Sequence, residues 1–155
     1  DTEIRVPGNF SQIDFVPTLL DLLGQPIPEH LQGVSRLGVL KGQDDLLGND
    51  VVVQHNGIGD RDMAMECESW AMGDEKLREL NFMNTMPGRS VITADRWKLN
   101  LCAVDRGELY DLNTDPNEIH NLFDDPEHLD RVRTMAARLH LWQVENGDTA
   151  PLPAV

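Results

Sequence analysis

Apolar positions along the chain switch between helical and strand spacing, and the switches mark the elements. Phe15, Thr18, Leu19, Leu22 and Leu23 share one face of a 3.6-residue period, which predicts a helix. Asp14 is read as its N-cap, Pro17 sits in its first turn, and Gly24 ends it as a C′ residue would. Pro26, Pro28 and Gly33 punctuate a loop, and residues 34–50 read as a turn-rich connection. Residues 51–55 are β-branched and short, a strand ended by Asn56-Gly57. The pattern then weakens from 58 to 87, with a helix expected only over 74–80 and an unassigned passage around Met83 and Met86.

Alternation returns over residues 89–93, 96–101 and 108–112, three strands of an antiparallel meander jointed at Ala94-Asp95 and at residues 104–107. Trp97 and Tyr110 fall on neighbouring strands and are expected to pack under the last helix. Residues 113–117 carry turn chemistry, with Asp115 ahead of Pro116. Asp125 caps a final helix that has Pro126 at its first position. Leu129, Val132, Met135, Ala136, Leu139 and Trp142 keep a 3.6-residue stripe until Gly147. The sum is α+β: a leading helix, about four antiparallel strands and a long amphipathic helix covering them.

Composition narrows the function classes. With 27 Asp+Glu against 13 Lys+Arg, the net charge of −14 repels phosphate backbones and anionic surfaces, which argues against nucleic-acid binding. No apolar run approaches the ~20 residues that a membrane span needs. The chain opens Asp1-Thr-Glu-Ile-Arg5, without an initiator Met or a leader-like run, and so reads as a piece of a longer polypeptide whose localisation stays open. Cys67 and Cys102 show no cysteine framework and read as two buried thiols.

Several segments together resemble the sulfatase family. Ser11-Gln-Ile-Asp-Phe-Val-Pro-Thr-Leu-Leu-Asp-Leu-Leu-Gly24 is similar to the family's S-x-I-D-L-x-P-T-L-L-D-L-A-G segment, and Leu31-Gln-Gly-Val-Ser35 to the stretch that follows it. Arg89-Ser-Val-Ile-Thr-Ala-Asp-Arg-Trp-Lys-Leu99 resembles a strand pair of the same family. Glu108-Leu-Tyr-Asp-Leu-Asn-Thr-Asp-Pro-Asn-Glu118 with Asn121-Leu122 matches its E-L-Y-D-L-x-x-D-P-x-E-x-x-N-L block. The resemblance implies that residues 1–48 close a large α/β domain and that 49–147 form the smaller C-terminal subdomain. Residues 148–155 are read as a loose tail.

It also implies a parent enzyme that uses calcium and a formylglycine made from a C/S-x-P-x-R sequence, neither of them supplied by this segment. Cys102-Ala-Val-Asp-Arg106 has Val104 where that motif needs Pro, and Cys67-Glu-Ser-Trp70 fails outright, so the catalytic nucleophile is expected elsewhere. Asp44-Asp45 and Asp60-Arg61-Asp62 lack calcium-loop spacing, and the histidines lack zinc-site spacing. The candidate substrate-binding residues are His55, Asn56 and Arg61, in the loop after the first strand, where a scaffold presents polar groups. Arg89 and Lys98 are weaker candidates, equally readable as snorkelling edge-strand residues.

The partners implied are a missing N-terminal catalytic domain and a sulfated small molecule or polysaccharide. Without that domain, the first helix is expected to self-associate or to leave the N-terminus partly mobile. A related phosphodiesterase or phosphonate hydrolase, or a non-catalytic interaction module, would share the same C-terminal block.

Overall fold

Val51–His55 (β1), Gly88–Ile92 (β2), Trp97–Cys102 (β3) and Glu108–Asp111 (β4) form one antiparallel sheet in sequence order, in a computed structural model that describes residues 5–57 and 86–155. The helix expected over 74–80, along with Arg61, Cys67 and Met83, lies outside those residues. The chain divides into two units, Asp1–Val51 with Ile92–Arg96, and Val52–Val91 with Trp97–Val155. The class is α+β, as the alternating patterns predict.

In the second unit, β3 and β4 pair with Leu99 opposite Leu109 and Lys98 opposite Tyr110. Because side chains alternate along a strand, this register sends Leu99, Leu101 and Leu109 to one face. There they meet Val132, Met135, Ala136 and Leu139 of the long helix α3 (Leu129–Asn146), numbered after the two short helices of the first unit, and together form the core. Trp97 joins that face as expected, with its ring 5.2 Å from His128 and under the Arg131 guanidinium at 4.9 Å. Tyr110 does not. It is one residue out of phase with Leu109, so it is buried on the opposite face, where burial and then the Glu108 carboxylate raise its phenol pKa.

Strand boundaries shift by a residue for a local reason. Arg96 has φ +66° and closes a turn by donating its N–H to the Thr93 carbonyl at 2.8 Å, so β3 starts at Trp97. Asn121 holds the return of the chain: its Oδ1 accepts from Leu109 N and Phe123 N, and its Nδ2 donates to Gly107 O. Asp125 accepts from Glu127 N ahead of a 3-10 turn, and Gly147 caps α3 in the left-handed region. The last inward position of α3 is Gln143, at 8% exposure, rather than the half-buried Trp142. Beyond α3, Asp148 is held by side chains and Leu152 packs on the core.

The first unit is built around α1 (Phe15–Leu22), whose polar side faces inward. Asp14 is not a cap: its side chain makes no bond to the helix start. It is buried, accepting from Val34 N at 2.9 Å and from Arg36 Nε at 2.8 Å. Thr18 Oγ1 accepts from Arg36 N, and Asp21 accepts from the Ser35 hydroxyl. These positions recur at helical spacing and draw residues 34–36 onto the helix. Leu37–Leu40 then makes a single helical turn (α2) within the expected connection. Arg36 also reaches Asn49, and Asn49 bonds the Asn9 carbonyl. The apolar stripe read from the sequence therefore points outward: Phe15, Leu19, Leu22 and Leu23 are 42–62% exposed.

Candidate functional site

Antiparallel pairing in sequence order brings the C-terminal ends of β1 and β3 beside the N-terminal ends of β2 and β4. An open hollow of about 110 Å³ lies along that end of the sheet, lined among others by His55, Asn100, Asp105, Arg106 and Glu108. Pockets that enclose a small ligand usually run to roughly 300–1,000 Å³, so this hollow is too small and open to enclose one by itself. His55 and Asn56 are exposed at the end of β1. Arg61, the third residue of the sequence-derived set, lies outside the described residues.

The polar groups of the hollow are largely committed to each other. Asn100 Nδ2 donates to Glu108 at 2.7 Å, and Asp105 accepts from Arg106 N. Arg106 pairs with Asp124, both more than half exposed, a type of ion pair that adds little stability. Asn100 Oδ1 is buried without a partner among the described residues.

Arg89 departs from the edge-strand reading. It sits on β2, an inner strand, and is 4% exposed. Its Nε and Nη2 meet the two Asp148 oxygens at 2.9 and 2.6 Å, and its Nη1 donates to the carbonyls of His55 at 2.9 Å and Gly88 at 2.8 Å. Arg89, with Gln143 assisting, holds the Asp148 carboxyl down at about 2. Lys98 pairs with Glu118 at 2.6 Å, both partly buried.

Asp148 and Gln143 are residues that sequence reasoning missed. Asp148 stands 59 residues from Arg89 in a Pro-rich ending, and nothing in its local pattern signals a buried partner. The signal for Gln143 was its helical spacing from Leu139, which the apolar-only count passed over.

For a metal, the described residues offer no group of three or more His, Cys, Asp and Glu. Asp44 and Asp45 bond the main chain of their own turn, at Asp45 N and Leu47 N. Cys102 is half-buried at the end of β3, less enclosed than the sequence suggested. No helix among the described residues is long and apolar enough to cross a membrane.

Comparison with known proteins supports the motif reading. No family model matches the chain. It is 24% identical to an ulvan-active sulfatase of Formosa agariphila, over 99% of this chain and 28% of that protein. It is 31% identical to an arylsulfatase of Chlamydomonas reinhardtii, over 72% of this chain and 18% of that one. Among solved structures, a protein in complex with its substrate D-glucosamine-2-N,6-O-disulfate matches 89% of the chain with TM-score 0.64 and 22% identity, covering 24% of that chain. The phosphonate monoester hydrolase of Agrobacterium radiobacter matches 85% of this chain and 24% of that one, with TM-score 0.58 and 20% identity. At such identities the structural matches establish a shared fold. The chain thus spans under a third of the length of these curated relatives, and what it resembles is a C-terminal sulfatase fragment.

Proposed function

We propose that this chain serves as the C-terminal portion of a sulfuric ester hydrolase, acting as scaffold and as part of the substrate-pocket rim. The observation that carries the reading is the pattern of coverage: a sulfatase match over 99% of the chain that takes in only 28% of the matched protein. The nucleophile, a formylglycine, and its calcium belong in this reading to the catalytic domain that residues 1–48 would complete. The inverted α1 supports that assignment. A helix held by its polar side, with Phe15, Leu19, Leu22 and Leu23 turned outward, suits an apolar surface of that larger domain.

His55, Asn56 and Arg61 are the rim residues of this proposal. Both His55 and Asn56 are exposed at the end of β1, and His55 lines the hollow, which supports a role in meeting a hydroxyl or second anionic group on the leaving portion of a sulfated carbohydrate or small molecule. The test is hydrolysis of an aryl sulfate with calcium by this chain and by a protein extended with a sulfatase catalytic domain. Turnover by the extended protein alone supports the reading. Turnover by the isolated chain overturns it and makes Cys102 the first residue to replace. A second reading, phosphonate ester hydrolysis by the same architecture, is favoured by the match to the phosphonate monoester hydrolase. Preference of the extended protein for a phosphonate monoester over an aryl sulfate would select it.

A further inference from the structure

The Arg89 guanidinium uses its donors on three targets: a carboxylate and two main-chain carbonyls. Two bonds to Asp148 would suffice to fasten the end of α3 to the sheet. The bond from Nη1 to the His55 carbonyl does something else, because His55 is the last residue of an edge strand and the first of the exposed rim. Asp148 in turn is held by Gln143 Nε2 at 2.9 Å, and that same nitrogen reaches the Ala150 carbonyl at 2.9 Å. A continuous set of bonds therefore runs from the segment after α3, through one planar cation, to the main chain at the rim.

We infer that Arg89 and Asp148 are positioning residues, which fix the main chain at His55 and thereby aim the His55 and Asn56 side chains at the leaving portion of the substrate. The inference rests on the rim reading proposed above. A buried ion pair is a poor source of net stability compared with apolar packing, so its presence here fits a geometric role. The planar fork of Arg can serve carboxylate and carbonyls at once, whereas a Lys ammonium acts as a point charge.

The test uses Arg89→Lys, which keeps the charge opposite Asp148, and Asp148→Asn. In this chain, amide order parameters are measured at His55 and Asn56, with Leu99 and Leu101 as the control for folding. In the extended, active protein, KM and kcat are measured for a sulfated disaccharide and for a small aryl sulfate. Both variants are expected to lower order at residues 55–56 but not at the controls. They are also expected to raise KM for the disaccharide about tenfold, with smaller effects on kcat and on the aryl sulfate. Unchanged order at residues 55–56, or an equal loss at the controls, overturns the inference and leaves the rim reading intact. Loosened rim amides with unaltered KM for the disaccharide overturn the rim reading itself.

Discussion

Arg89 and Asp148, 59 residues apart, form a bidentate ion pair with side-chain exposures of only 4% and 9%. It joins the second strand to the residue just beyond the left-handed end of the last helix. That is the one place where a charged pair enters the described interior of the second unit, and it should govern how the unit responds to acid.

The Asp148 carboxyl titrates at about 2, below the ordinary 3.8, chiefly because Arg89 bonds its charged form. A depressed folded-state pKa means the contribution is complete above the unfolded value and is lost as pH falls through the folded one. Urea melts at a series of pH values should show a stabilisation on the order of 2 kcal/mol disappearing between roughly pH 4 and pH 2. Asp148→Asn should flatten that slope. An identical slope in the variant would contradict the assignment.

The outward stripe of α1 should make this chain associate in isolation. Burying each such side chain stabilises by ~1.5–3 kcal/mol, enough for several together to hold a complex. Light scattering should report oligomers that Leu22→Lys with Leu23→Lys converts to monomer. Because both leucines are more than half exposed, the melting temperature should barely move. A monodisperse monomer before substitution would refute the expectation.

Asp14→Ala removes the acceptor shared by Val34 N and Arg36 Nε. Leaving a part-buried guanidinium and an amide without it should cost roughly 2–4 kcal/mol in denaturant unfolding. Loss of under about 0.5 kcal/mol, the range of ordinary surface changes, would show that residues 34–36 dock by other means.

Gly33 lies so close to the 3-10 turn Gln12–Asp14, just ahead of α1, that a Cβ there would overlap the Ile13 carbonyl. Main chain cannot yield as a side-chain tip can, so Gly33→Ala should destabilise by about 1–3 kcal/mol. Gly48→Ala is the control: nothing lies within 4 Å of its Cβ, and the change should be neutral or slightly stabilising. Paired thermal melts decide, and equal melting temperatures would refute the close approach.

Much of the architecture was legible from short-range pattern. The final helix, its Asp125 and Gly147 boundaries and the three-strand meander follow from spacing and turn chemistry within a few residues of each position. The Asp111–Asn121 turn block was legible for the same reason, since Asp111, Asp115 and Asn121 each bond main chain two to five residues away, although Asn121 also reaches Leu109 N and Gly107 O. Asp14 shows where such reading stops. A cap and a buried ion-pair partner share the same residue type before a helix, and only Arg36, 22 residues on, distinguishes them.

By itself, then, the sequence determined the α+β class, the order of elements and the motifs shared with sulfatases, because each depends on neighbours along the chain. The tertiary structure alone decided which face each pattern presents. Register put Tyr110 opposite Lys98 and away from the helix, and hydrogen bonding turned the apolar side of α1 outward. It also decided that Arg89 ends in a buried clamp reaching His55. Those outcomes depend on partners tens of residues distant, and the period of a segment carries no information about which distant group it will meet.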